Sequence, residues 1–543
     1  MSEPSNELTG PDLTKGIQMS NVAPGQLLLG HAFGEPVLLA HVEPNWFAVA
    51  GKCTHYGGPL EQGLLDGETI RCPWHHACFE LHNGAAFGAP ALNDLASYDV
   101  AVENNLVRVL RKRDPGQLKG EAHRIKASRA PERVLFEETP ITGPKSVVII
   151  GGGAAGNACA EMLRREAYRG PITVIDPDRD APYDRPNLSK DYLAGNAPEE
   201  WLPLHPKEFY DAQHIEFLSG IEAIGLDLKS KTVQLSDGTS RDYGCLLIAT
   251  GASPARLDIP GGDRILYLRS LRDCRAIIER IGGAKKAVVI GASFIGLEVA
   301  ASLVTRGMKV SVVAPEHLPL ERVLGAELGT LIKRVHEEKG VEFHLGRTVK
   351  SVDDRSVVLD DGSGIDADMI VAGIGVRPNL ALAQAAGLTI DNGLAVNEFL
   401  ETNVSDVFGA GDVVRWPDAY SDVRLRVEHW VVAERQGQVV ARNMLGRRER
   451  FDEIPFFWSA HYDQLTIGYI GHVEKWDSVK IDGDVNKMDC AVSYIVSGKR
   501  RAMATINRDH QNLQTELELE TELLLKPPPV ITLEAEEALP NGN

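Results

Sequence analysis

Two short segments carry residues that hold metals. Cys53-Thr54-His55 precedes Cys72-Pro73-Trp74-His75, with sixteen residues between His55 and Cys72, so each segment offers one thiolate and one imidazole. Both lie among glycines and prolines rather than on an apolar face, which speaks against two incidental buried cysteines. Two Cys and two His also satisfy tetrahedral zinc, but zinc segments usually pair cysteine with cysteine two to four residues apart. One of each per segment is the donor set of a [2Fe–2S] centre in which thiolates hold one iron and imidazoles the other. Cys78 reads as a neighbour of that centre with a structural role.

A second chemistry is written in glycine. Gly151-Gly152-Gly153-Ala154-Ala155-Gly156 follows the apolar run Val147–Ile150 and opens a helix, and Asp176 lies twenty residues past Gly156, at the end of the next apolar run. Gly151, Gly153 and Gly156 permit a tight turn and close approach to a pyrophosphate, and Asp176 suits a ribose. The pattern returns at Gly291-Ala292-Ser293-Phe294-Ile295-Gly296, with Ser293 for the middle glycine. Here the following strand ends without an acid, leaving Glu316, twenty residues past Gly296, as the ribose candidate, while His317 suits a 2′-phosphate. This favours NADH over NADPH. Two dinucleotide sites in one chain suggest a flavin taking electrons from a nicotinamide.

Residues 18–110 resemble a Rieske domain through the two ligand segments, Gly57-Gly58-Pro59-Leu60 and Phe79, with Gly88 and Pro90 as a third shielding loop. Gly58 and Trp74 stand where high-potential members carry a disulfide, and Ala77 where they carry a serine. The resemblance therefore implies the low end of the range, about −150 mV. His76 departs from the glycine usual there. Residues 145–515 resemble the FAD-dependent pyridine-nucleotide oxidoreductases, in the ferredoxin-reductase and apoptosis-inducing-factor-like branch. The carriers are Ala181–Lys190, Ala249-Thr250-Gly251 and Gly409-Ala410-Gly411-Asp412. The resemblance implies that Arg185 faces FAD phosphate or adenosine and Lys190 the isoalloxazine N5 region, paired with Glu298. It also implies that Thr250 and Gly251 form a strand-end turn, that Gly411 and Asp412 receive the ribityl chain, and that Glu428 and Trp430 touch the pyrimidine edge. Trp458 matches a tryptophan near the flavin. The fusion as a whole is similar to the apoptosis-inducing-factor-3-like proteins.

These residues need a multidomain scaffold, and 543 residues supply one. We expect an all-β Rieske domain over 1–112, a proline-containing linker over 113–144, and a Rossmann-like FAD-binding domain in two parts, 145–262 and 389–450. A Rossmann-like NAD(P)H-binding domain over 263–388 splits it, an α+β C-terminal domain spans 451–520, and an acidic, proline-containing tail covers 521–543. The net charge of −19 argues against a duplex nucleic-acid partner. Seven cysteines without CxxC spacing exclude a disulfide scaffold or a local dithiol relay. The apolar stretch Ala287–Val304 reads as strand, turn and helix rather than a membrane span, and the acidic N-terminus as no signal peptide, so the expected compartment is the cytoplasm. The expected activity is hydride transfer from NAD(P)H to FAD, then single electrons to the cluster and an external acceptor: a ferredoxin, an oxygenase or a small molecule. Alternatives are a reductase component feeding a separate ferredoxin or oxygenase, and an NADH-responsive redox-sensing interaction protein. A homodimer is compatible with either.

Overall fold

The computed structural model describes residues 8–114 and 143–525. The expected linker lies almost wholly outside them, as does the tail from 526 onward. Inside them, the final helix Asp509–Leu524 runs past the boundary expected at 520, because Leu523 still packs on the core around Leu519 and Phe456.

The N-terminal part is all β. Strand alternation decides its two cores: Val37, Leu39 and Ala48 face Leu13 and Tyr98, while Leu38, Ala40, Phe47 and Val49 face Cys53, Cys72 and Phe79. A six-stranded antiparallel sheet separates these cores. A smaller antiparallel sheet, Leu64–Asp66, Thr69–Arg71, Cys78–Glu80 and Ala86–Gly88, presents the second ligand loop.

Two parallel sheets follow. Val147–Ile150 is buried at every position, as a strand covered on both faces must be, and pairs with Ile172–Asp176 and Cys245–Ile248. That sheet is completed by Val407–Gly409, which returns only after the second sheet has been built. The second centres on Lys286–Ile290, between Lys309–Ala314 and Met369–Ala372. The apolar stretch from 287 is thus strand Lys286–Ile290 followed by helix Phe294–Thr305, and no helix among the described residues is long and apolar enough to cross a membrane.

The C-terminal part is a five-stranded antiparallel sheet carrying the Asp509–Leu524 helix. Its first strand, Phe456–His461, decides the site: residues two apart share a face, so Phe456 and Trp458 look one way, Phe457, Ser459 and His461 the other.

Candidate active site

The two ligand loops are built alike. In each, the cysteine N–H donates to the carbonyl five residues on (Gly58, Ala77), and the residue four on donates back to the cysteine carbonyl. That fourth residue is left-handed in both loops: Gly57 at φ 76° and His76 at φ 61°. The loops bring His55 Nδ1 within 3.1 Å of His75 Nδ1, over the buried thiols of Cys53 and Cys72. Burial pushes His55 down to about 3 and His75 in the same direction, leaving both rings neutral with a lone pair free for a metal. A Cβ on Gly58 would lie 2.7 Å from Cys72 Sγ, so only glycine fits against that thiol. Cys78 is buried, its thiol pushed up to about 12 by burial.

In the first glycine loop, Gly151 has φ 107° and a Cβ there would strike the Ala249 carbonyl at 2.1 Å. Asp176 Oδ2 accepts from Gly152 N at 2.5 Å, and Oδ1 from Asp178 N at 2.8 Å, so the acid braces the loop it borders. Arg185 comes to Gly153, its Nη atoms 3.8 and 3.9 Å from where a Cβ would stand. Across the cleft, Gly411 N donates to Gln436 Oε1 at 2.8 Å and Arg269 Nη2 donates to Asp412 Oδ2 at 2.7 Å. Thr250 Oγ1 donates to the Asn379 carbonyl, and Asn379 N to the Gly251 carbonyl, so the turn is stitched to the other module. Glu428 accepts from Arg426 at 2.5 Å, and Trp430 begins the helix Trp430–Met444.

The second loop repeats the turn, with Gly291 at φ 103°. Ser293 caps helix Phe294–Thr305 by accepting from Gly296 N, and its hydroxyl donates to the Gly373 carbonyl at 2.7 Å. Glu316 lies two residues beyond strand Lys309–Ala314, half-buried, with His317 exposed beside it. From the same helix Glu298 reaches Lys190: Oε2 accepts from Lys190 Nζ at 2.9 Å and from Ser189 Oγ at 2.5 Å.

The β domain docks on this body by its ligand loops. The Trp458 ring lies 4.1 Å from that of His75, centroid to centroid. The Tyr56 hydroxyl donates to Asp184 Oδ2, and Ala89 N to Gln438 Oε1. His76 stacks on Phe456 at 3.8 Å and brings Nδ1 to 2.9 Å from the buried Glu516. Glu516 also pairs with Arg435 at 2.9 Å and with Arg71 at 3.4 Å, while Arg71 reaches Glu520 at 2.8 Å.

Two family descriptions match this chain: the Rieske [2Fe–2S] domain over residues 14–99, and the pyridine nucleotide-disulphide oxidoreductases over residues 145–437. Apoptosis-inducing factor 3 of Mus musculus is 34% identical over 483 residues, covering 87% of this chain and 78% of its own length. The chain belongs to the pyridine nucleotide-disulphide oxidoreductases. Putidaredoxin reductase CamA of Pseudomonas putida is 34% identical over 375 residues, 67% of this chain and 89% of its own. The structure of a covalent putidaredoxin reductase–putidaredoxin complex superposes with a TM-score of 0.67 at 32% identity, over 69% of this chain and 93% of that one. This oxidoreductase is therefore an FAD-dependent enzyme of NAD(P)H-driven electron transfer that carries a Rieske [2Fe–2S] domain.

The residues present fit these groups. Buried polar atoms without a protein partner gather between Gly153 and Gly411: Arg185 Nε, Asp184 Oδ1, Glu434 Oε2 and Gln436 Nε2. Such atoms are rare in a folded chain and point into a polar ligand's place. Neutral His55 and His75 facing paired thiols suit two irons of unlike ligation. Sequence reasoning missed Tyr56, Asp184, Arg269, Asn379, Gln436, Ser459 and His461. The last two carried a signal, since polar residues at alternate positions of an aromatic strand mark a polar contact on the buried face.

Proposed function

We propose that this oxidoreductase is an NADH-preferring reductase whose own Rieske cluster is the first one-electron recipient, with a ferredoxin-type protein as the external acceptor. When bound, FAD supplies the exchange between a two-electron donor and one-electron carriers. The chain's residues supply orientation and electrostatics. Gly151, Gly153 and Gly156, with the N-terminus of helix Ala154–Arg165, would hold the FAD pyrophosphate, with Arg185 adding charge and Asp176 on the ribose side. Asp412, fixed by Arg269, and the turn at Thr250 and Gly251 would border the ribityl chain, and Glu428 and Trp430 the pyrimidine edge. Gly291, Ser293 and Gly296 would hold the nicotinamide dinucleotide. Glu316 would accept from its ribose hydroxyls and repel a 2′-phosphate.

Lys190 and Glu298 form an ion pair in which the lysine offers a cationic donor near the flavin N5 region and the glutamate compensates its charge. Cys53, Cys72, His55 and His75 would hold the cluster. The observation that carries the reading is the contact of His75 with Trp458, since it lays the cluster's imidazole edge on the strand whose other face meets Glu298. That docking sets Trp458 against the His75 ring and leaves both imidazoles only half-exposed, which favours internal transfer before export. The ferredoxin-type acceptor is supported by the relatives, among them putidaredoxin reductase and the ferredoxin–NAD(+) reductase component of an anthranilate 1,2-dioxygenase system. All seven cysteines are free, which suits a reducing compartment, and we assign the cytoplasm.

Anaerobic titration with NADH, followed by electron paramagnetic resonance, tests the reading. A [2Fe–2S] signal of low mean g, growing in step with flavin bleaching, is expected. Bleached flavin beside an oxidised, iron-replete cluster overturns internal transfer. Faster reduction by NADPH than by NADH overturns the nucleotide choice.

A further inference from the structure

A buried row of hydrogen bonds leads away from Glu298 on the face of strand Phe456–His461 opposite Trp458. Ser459 Oγ donates to Glu298 Oε1 at 2.5 Å and lies 3.0 Å from His461 Nε2. His461 Nδ1 lies 2.8 Å from His336 Nε2, and His336 Nδ1 lies 3.1 Å from the Tyr462 hydroxyl. Ser459, His461 and His336 are each 0% exposed and Glu298 is 2% exposed, whereas Tyr462 is only half-buried, with the exposed Lys339 ammonium 5.5 Å from its ring centre. We propose that Glu298, Ser459, His461, His336 and Tyr462 form a proton relay joining the Lys190–Glu298 pair to solvent.

The chemistry demands such a path, given the proposed function on which this inference rests. Each NADH surrenders a hydride, which is two electrons and one proton, and becomes NAD⁺. The electrons leave one at a time through the cluster to two equivalents of a one-electron acceptor, so one proton per NADH is left beside Lys190 and Glu298. Both imidazoles use both ring nitrogens within the row, so a neutral ring has one donor and one acceptor to offer it. Burial holds both rings neutral: His461 is pushed down to about 3 and His336 well down, with Lys190 and the other imidazole adding in the same direction. Two complete hydrogen-bond orders then exist. With Glu298 ionised, Tyr462 donates to His336, His336 to His461, His461 to Ser459, and Ser459 to Glu298. With Glu298 protonated, every donor is reversed. Passing from the second order to the first breaks the Glu298 O–H, re-forms each O–H or N–H one atom further out, and delivers the proton from Tyr462 to water. No heavy atom has to move. An ordinary structural role for the row would need neither two imidazoles in series nor an end at the surface.

The test uses the holoenzyme, mixed anaerobically with NADH and a one-electron acceptor in weakly buffered solution containing a pH-indicator dye. Flavin, cluster and dye are read together. In the wild type, one proton per NADH is expected in the bulk in step with electron export. In His336→Phe, proton appearance should lag electron export at least tenfold, while flavin bleaching by NADH, which consumes no proton, keeps its rate. Tyr462→Phe, at the rim, should lag in the same sense and serves if His336→Phe does not fold. Reduced-minus-oxidised infrared spectra add a second readout. A protonated-carboxyl C=O band should appear during turnover, be absent in Glu298→Gln and persist longer in the two relay variants. Proton release that keeps pace with electron export in both relay variants overturns the relay. A flavin that bleaches beside an unreduced cluster overturns the proposed function instead, so the two failures are distinguishable.

Discussion

Removing the Glu516 carboxylate, alone and together with the Tyr56 hydroxyl, probes whether docking sets the rate of internal electron transfer. Glu516 is wholly buried and faces two bodies. Arg435, on the same side as Glu516, keeps Glu453 at 2.9 Å when the carboxylate is gone, so the oxidoreductase body retains a compensated guanidinium. Across the docking face, Arg71 keeps Glu520 and Asp66 but loses its long hydrogen bond to Glu516 at 3.4 Å, and His76 Nδ1 loses the carboxylate 2.9 Å away. A hydrogen bond to a charged group contributes about 1.5–3 kcal/mol, and here roughly one such contact is lost across the face. Glu516→Ala should therefore weaken docking by about 2 kcal/mol, roughly thirtyfold in the docked-to-undocked ratio. The Tyr56 hydroxyl donates to the buried Asp184, so Tyr56→Phe should weaken docking by about 1–2 kcal/mol while keeping the ring stack on His55. The two contacts share no partner, so their effects should add. The double variant then falls by roughly two to three orders of magnitude in the ratio, enough to expose an undocked population even if the wild type is firmly closed. Stopped-flow absorbance should show unchanged flavin bleaching by NADH and cluster bleaching that lags it, first in the double variant. Small-angle scattering should show a larger radius of gyration. A double variant that reduces its cluster at the wild-type rate from a wild-type envelope would refute the claim that these contacts hold the domain.

Three further outcomes follow from single residues. Burial pushes the Asp184 carboxyl up to about 7. A carboxyl whose folded value lies above its unfolded one makes the folded chain bind more protons between the two values, so stability falls as pH climbs from about 4 to about 7 and is level above that. Asp184→Asn should remove this slope and raise the unfolding free energy from urea titration at pH 8 by up to about 4 kcal/mol at 1.36 kcal/mol per unit; equal slopes in variant and wild type would contradict it. Glu316→Ala should raise the KM for NADH several-fold with kcat little changed, about 1 kcal/mol of ground-state binding, and narrow the preference against NADPH, read from steady-state kinetics with both nucleotides. His75→Ala should lower iron content and abolish the low-mean-g signal while flavin content and NADH-driven flavin bleaching persist, read by iron assay and absorbance.

What the sequence made legible was local. The four cluster donors sit in two loops whose hydrogen bonds close over five residues, and each glycine turn is complete within six, so residue type and spacing suffice. The Lys190–Glu298 pair, 108 residues apart, was reachable only through resemblance. The docking face was out of reach: Tyr56 meets Asp184 across 128 positions and Arg71 meets Glu520 across 449, separations over which no periodicity links one residue to the other. His76 shows how the two scales meet. Its backbone is left-handed, which a non-glycine residue adopts at a cost of about 1–2 kcal/mol, and its counterpart in the other loop is the expected glycine, Gly57. A residue kept in a strained position must gain elsewhere, and His76 gains by leaving its own domain: its ring stacks on Phe456 and its Nδ1 meets Glu516. Phe456 shares a strand face with Trp458, which meets His75, so a departure from the loop's glycine pattern and the route for the electron rest on the same strand. His76→Gly should accordingly relax the loop while loosening the docking, raising iron retention in the undocked domain and slowing flavin-to-cluster transfer. Iron retention and transfer moving in the same direction would mean that His76 serves only its loop.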